Sequence, residues 1–240
     1  MTTHPGGAAA SVADGFVLIA VLLWLSLLAA LALGAALVTT YEPTAAAAAH
    51  DRIQLRRAAE AAATLAVLDL AARLDWSALP AGGPSSPFTD GGAGVRTWGS
   101  ITVDLAAETA RRTCGLPTPC DDAATAAVSD ARPWGARNPR WRLFAHLPLA
   151  DLDAAAAAGC ACYLVAWIAD DPADDDGVAA TDAPPGTAGH GVVLIRGAAF
   201  AAGGAVADVE AEVAQPCGLS GAICPGIRVQ SWRVVSEGAP

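Results

Sequence analysis

The sequence contains no lysine. Its 14 basic residues are all arginine, and against 24 acidic residues they leave a formal net charge of -10. A surface with that balance repels nucleic acid and anionic lipid over most of its area, so an anionic partner must meet a local patch. Aromatics are scarce at 5%, and much of the 54% hydrophobic content is alanine, so the apolar excess matters less than where it lies. Cysteine is absent until Cys114, and no two cysteines are spaced C-x-x-C. The four histidines stand singly at His4, His50, His146 and His190, without the paired spacing of a zinc site. Signatures of catalysis are missing as well. There is no P-loop, dinucleotide fingerprint or His-Glu-x-x-His, and Gly218, Leu219, Ser220 and Gly221 lack the spacing of a nucleophile elbow. Enzymatic activity is not expected.

Charge is absent from Gly15 through Tyr41, and Phe16 to Val38 is a 23-residue apolar run broken only by Ser26 and Gly34. As a helix rising about 1.5 Å per residue it reaches about 35 Å, enough for a hydrocarbon core of about 30 Å. A cleavable secretory signal has a shorter apolar region followed by a small-residue cut site, so this run reads as a membrane span. Before it stands a short polar leader, residues 1–15, which ends in Gly15 directly against Phe16.

This junction, glycine followed by Phe16, Val17, Leu18 and Ile19, resembles the processing site of type IV prepilins. The resemblance implies that a prepilin peptidase cuts after Gly15 and N-methylates Phe16, leaving the apolar helix on the mature chain. Beyond the membrane, His50 to Trp76 reads as an amphipathic helix, with Ala61, Leu65, Leu68 and Ala72 beside Ala63, Val67, Leu70 and Leu74 as its apolar face. Arg56 with Glu60 and Asp69 with Arg73 are i,i+4 pairs on the wetter side. A membrane helix running into such a helix is similar to PilX-type minor pilins and to the K-type minor pseudopilins of type II secretion.

Three features depart from the general pilin pattern. The glutamate four residues after the first mature residue of major pilins is replaced by Ala20, as in K-type pseudopilins, which points to a minor subunit. The leader carries no Lys or Arg while Arg52, Arg56 and Arg57 follow the span, against the positive-inside trend. Orientation therefore rests on the resemblance and on the cysteines. Pro43 predicts a kink or short break between the two helical parts.

The exported part is expected to be α+β. Residues 80–100 are rich in Pro, Gly and Ser and read as a loop. Short helices are expected at Ile101 to Arg112 and Asp121 to Asp130. Strands follow at Trp141 to Leu147, Cys162 to Ala169, Val192 to Arg196, Ala205 to Val213 and Ile227 to Val235, with a hairpin at Gly203 and Gly204. These form an antiparallel sheet whose apolar face lies on the long helix, which is also the pilin plan that the resemblance implies. Tyr163 to Val213 also looks like PilX-type domains. The divisions expected are a leader at 1–15, a transmembrane helix at 16–41, its amphipathic continuation at 42–79 and an exported domain at 80–240.

Cys114, Cys120, Cys160, Cys162, Cys217 and Cys224 are an even set, and they suit disulfides in an oxidising compartment. Cys114 with Cys120, and Cys217 with Cys224, can each close a short loop. Cys160 and Cys162, two apart on an apparent strand, share a face and are expected to bond elsewhere. Asp170, Asp171, Asp174, Asp175 and Asp176 with Gly177 offer hard oxygen ligands for a calcium ion, although without the alternate spacing of an EF-hand. Otherwise no cofactor is expected. From Arg132 to Arg142 four arginines interleave with Trp134 and Trp141, a pattern that can grip phosphates and stack bases. The net charge argues instead for a loop and strand edge that balances an acidic domain.

The resemblance implies a minor pilin or pseudopilin that initiates or caps assembly of a type IV pilus or type II secretion pseudopilus. Its partners would be other pilins or pseudopilins, the prepilin peptidase and the inner-membrane assembly platform. Its place would be the cytoplasmic membrane, single-pass, with the C-terminal domain outside and incorporation into a surface filament as the end state. The alternative is a membrane-anchored extracytoplasmic binding module unrelated to filaments.

Overall fold

Alanine and leucine, the strongest helix formers, crowd residues 20–72, and the resulting helix α1 spans Ser11–Ala71 in the computed structural model. The structure describes residues 11–127, 132–173, 181–182, 189–216 and 226–238. It divides into two compact units, Met1–His50 and Asp51–Pro240. Of the kink or short break expected at Pro43, the break is absent and α1 continues through it. A proline in a helix removes one hydrogen bond and crowds one carbonyl, which a long helix can absorb as distortion without ending.

The first unit contributes the apolar segment of α1. Phe16–Ala36 has a mean hydropathy of 2.9 and none of it is buried within the chain. It is the one helical stretch among the described residues long and apolar enough to cross a membrane.

In the second unit a five-stranded antiparallel sheet runs in simple chain order: β3 (Arg142–Pro148), β4 (Tyr163–Asp170), β5 (Val192–Phe200), β6 (Val206–Ala214) and β7 (Arg228–Gly238). All five expected strands are present. The β5–β6 hairpin turns through Ala202–Gly204, where Gly203 takes φ 77°, a conformation suited to glycine. The last turns of α1 lie across one face of this sheet. Ala59, Ala62, Ala63, Ala66 and Leu70 are buried against Phe144, Ala166, Ile168, Val193, Ile195, Val209 and Ala211.

Of the expected apolar face, Ala63, Leu65 and Leu70 are buried and Val67 packs against the core, but the stripe is rotated toward Ala59, Ala62 and Ala66. Leu68 is 63% exposed because the seam is centred on a ridge of alanines, and α1 ends at Ala71 instead of the expected Trp76, so Ala72 and the 60% exposed Leu74 lie beyond the helix. Gly197 explains the preference. A Cβ placed there would meet the Ala59 carbonyl oxygen and the Ala63 nitrogen at 2.5 Å each, and the Ala63 Cβ at 2.8 Å. The helix backbone rests directly on the middle of β5, and small residues on both sides permit it.

The opposite sheet face is also covered, which explains why every residue of β4 is buried. Its cover is a hairpin, β1 (Val95–Trp98) and β2 (Ile101–Asp104), followed by helix α2 (Leu105–Cys114). The hairpin and the strand start at Ile101 correct two expectations, a loop to residue 100 and a helix from 101. Ile101 and Val103 are buried while Thr102 and Asp104 are exposed, a period-2 pattern that wins over helix propensity. Short helices at α3 (Asp122–Ala126), α4 (Leu149–Leu152) and α5 (Ala154–Ala157) complete the described elements. The outer edge of β3 is capped by segment 86–90: Ser86 N donates to the Phe144 carbonyl, His146 N to Phe88, and Asp90 N to the His146 carbonyl, at 2.9, 3.0 and 3.0 Å.

Candidate functional site

Beside the helix and hairpin that cover the second face, the sheet carries a row of charge. Strand β6 alternates strictly: Ala207, Val209, Ala211 and Val213 point to the α1 side, so Asp208, Glu210 and Glu212 must point to the other. Helix α2 delivers the matching cations. Its start is fixed by Asp104, whose carboxylate accepts from Ala106 N and Ala107 N at 3.1 and 3.0 Å. Its end is fixed by Gly115 at φ 81°, whose N–H donates to the Arg111 carbonyl, and Cys114 is then joined to Cys120. Thr109 ties the helix down by accepting a 2.8 Å hydrogen bond from Trp167 Nε1.

Arg112, at 5% side-chain exposure, is the centre of the network. It donates to Glu108 at 2.5 Å and to Asp208 at 2.8 Å, and its guanidinium lies 4.0 Å from the centroid of the Trp167 ring. Arg196 on β5 reaches the other Asp208 oxygen at 3.5 Å and stands 6.0 Å from the Trp141 ring. Burial pushes the Arg196 guanidinium below its ordinary pKa, with the Asp208 carboxylate opposing that shift. Arg233 on β7 donates through Nε to Glu210 at 3.1 Å. Arg111 pairs with Glu108, and Arg132 donates to the Thr113 carbonyl. These residues with Trp134 and Trp141 line a cleft of about 650 Å³.

The arginine and tryptophan stretch expected from Arg132 to Arg142 is therefore divided. Arg132, Trp134 and Trp141 line the cleft, but Trp141 is only 4% exposed and cannot stack on an incoming base. Arg140 is held by Asp122 at 2.9 Å, while Arg137 and Arg142 are exposed outside it. Arg112, Arg196, Arg233, Asp208 and Glu210 were not singled out from sequence. Their signal was the acid row alternating along β6, which demands cations from whatever covers that face.

A second cluster locks segment 86–90. Asp90 Oδ1 accepts from Tyr163 Oη and lies at 2.9 Å from His146 Nδ1, with Arg96 Nε at 3.1 Å. Burial works to raise the Asp90 carboxyl, yet hydrogen bonds from Tyr163, Arg96 and His146 outweigh it and hold the pKa below its ordinary value. Burial lowers the His146 pKa against the pull of Asp90, and raises that of Tyr163.

Of the six cysteines, Cys114 and Cys120 pair as expected, with Cα atoms 6.0 Å apart. Cys160 and Cys162 are paired with one another, Cα atoms 5.2 Å apart, which corrects the expectation that each bonds elsewhere. The strand begins only at Tyr163, and a tight turn closed by Cys162 N–H to the Cys160 carbonyl at 2.8 Å brings the two side chains together. Cys217 and Cys224 lie outside the described residues, as do Asp174, Asp175 and Asp176 of the expected calcium loop. Asp170 is buried at the end of β4 with Asp171 following it, and no group of three or more His, Cys, Asp or Glu among the described residues is placed to hold a metal. Gly15 lies within α1 and Phe16 beside it is 74% exposed.

Comparison with known proteins finds no matching family model, no matching curated protein and no matching solved structure.

Proposed function

We propose that the chain is a membrane-anchored structural subunit of a pilin-type filament, a minor pilin or pseudopilin that initiates or caps assembly. The observation that carries the reading is the division of labour along α1. Its first part, Phe16–Ala36, is a long apolar stretch of which none is buried among the described residues, and the last turns of α1 dock on an antiparallel sheet. An apolar helix surface of this length is satisfied by lipid before assembly and by other helices after it. Small residues at Ala29, Ala30, Ala32, Gly34 and Ala35 let neighbouring helices approach closely. Gly15, a poor helix former by about 1 kcal/mol, is the place where the helix start opens most readily to a peptidase.

On this reading the partners are other pilins or pseudopilins, the prepilin peptidase and the assembly platform of the cytoplasmic membrane, with the sheet-bearing unit outside. The work is associative, and the chain acts without a reaction centre. The test is incorporation in the native cell. The chain should copurify with sheared filaments or with the assembly platform, and Gly15→Val, which blocks the cut, should abolish that. A wild-type chain that copurifies with neither overturns the proposal.

A further inference from the structure

We propose that the cleft between α2, residues 132–141 and strands β5 to β7 receives the carboxylates of an acidic peptide segment on a partner protein. Its charge runs against the rest of the chain. Arg111, Arg112, Arg132, Arg196 and Arg233 face Glu108, Asp208 and Glu210, a surplus of two positive charges in a chain of net charge -10. Each acid is already engaged. Glu108 takes Arg111 and Arg112, Asp208 takes Arg112 and Arg196, and Glu210 takes Arg233.

The arginines are not used up in the same way. A guanidinium carries five N–H donors in a rigid fork. Among the described residues Arg132 donates only to the Thr113 carbonyl, and Arg233 keeps one terminal nitrogen outside its contact with Glu210. The Arg111 and Arg233 side chains are 49% and 58% exposed, so their unspent donors can reach an incoming group. Unspent donors on a planar fork match a carboxylate, which accepts two parallel bonds.

The dimensions and surroundings select the ligand. A cleft of about 650 Å³ is sized for a few side chains, within the roughly 300–1,000 Å³ of ordinary ligand sites. Trp134, 38% exposed, supplies a flat wall for the aliphatic part of a Glu or Asp side chain. The chain's net charge of -10 opposes a long polyanion more than a short acidic segment, which favours a peptide over nucleic acid. This inference is independent of the filament reading, since a plain anchored binding module would carry the same cleft.

The experiment uses the full chain in uncharged detergent micelles and measures fluorescence anisotropy of three labelled probes. These are an end-blocked peptide of alternating Glu and Gly, its Gln counterpart, and a single-stranded oligothymidylate. The Glu peptide should bind at least about tenfold more tightly than the Gln peptide, the scale of one charged hydrogen bond. Raised salt should weaken the binding. Arg132→Gln should cost a further severalfold with the melting temperature unchanged, and Arg233→Gln should do the same if β7 keeps its circular dichroism. Equal affinity for the Glu and Gln peptides overturns the proposal, as does undiminished binding by Arg132→Gln. Tighter binding of the oligothymidylate than of the Glu peptide also overturns it, in favour of nucleic acid.

Discussion

Gly197→Ala probes the seam between α1 and the sheet. The added methyl would sit 2.5 Å from the Ala59 carbonyl oxygen and from the Ala63 nitrogen, whereas ordinary contact begins at 3.4 Å, so the helix must retreat by roughly 0.9 Å. A gap of about 0.5–1 Å forfeits a quarter to a half of each dispersion contact along the alanine ridge. That places the cost near the upper end of the usual overpacking range, about 3 kcal/mol. Alanine also repays about 0.5–1 kcal/mol by restricting the unfolded chain. The net loss is therefore about 2–3 kcal/mol, or about 5–10 °C in Tm for a unit of this size. Denaturant unfolding of the full chain in micelles, followed by fluorescence of the buried Trp76 and Trp167, measures it. Gly92→Ala, where an added Cβ meets nothing within 4 Å, is the control and should be neutral. Ala63→Gly should not rescue Gly197→Ala, because two of the three contacts are with backbone atoms. A Gly197→Ala variant as stable as the parent would refute the close approach of helix and strand.

Other measurements follow from the two polar clusters and the first cysteine pair. His146 is buried with its pKa below the ordinary 6.5, so the unfolded chain takes up its proton first and stability should begin to fall as pH drops below about 6.5. Asp90 sits below the ordinary 3.8, so its contribution is complete above that value and is lost as pH falls through the lower folded value. Asp90→Asn should remove this second stage from a pH series of denaturant midpoints, and a curve flat from neutral to acid pH would count against the cluster. Arg112→Leu should cost about 2–3 kcal/mol in denaturant unfolding, because it removes charged hydrogen bonds to Glu108 and Asp208 and leaves Asp208 with the longer Arg196 contact; a neutral result would mean the network is not formed. Replacing Cys114 and Cys120 by alanine opens a short loop and should cost about 2 kcal/mol, read as a lowered midpoint under oxidising conditions; an unchanged midpoint would count against the pair.

The sheet was legible because its strands carry β-branched and alternating patterns between Gly, Pro and Asp breaks; Val192 to Phe200 merely ran four residues longer than expected. The β1–β2 hairpin was hidden. Its strands are only four residues each, and its Gly99 turn merges with the Pro, Gly and Ser content that precedes it. The face of α1 was legible in part: Ala63, Leu65 and Leu70 are buried as expected, but Ala59, Ala62 and Ala66 were missed because leucine outweighs alanine on any hydropathy count, while the packing was decided by how closely two backbones can approach at Gly197. The cleft was half legible. Arg132, Trp134 and Trp141 stand out in the sequence, but Arg196 joins them only through antiparallel register, which sets it opposite Glu210, and Arg112 only through the packing of α2 on the sheet. Cys160 and Cys162 were misassigned by a strand boundary one residue too early, enough to change a turn into an extended segment.

The most direct test of the anchored-subunit account is the N-terminus of the chain extracted from native membranes, read by sequencing and intact mass. The account predicts a chain that begins at N-methylated Phe16 and keeps the whole apolar segment. A chain that keeps residues 1–15, or one recovered in solution without Phe16–Ala36, would contradict it.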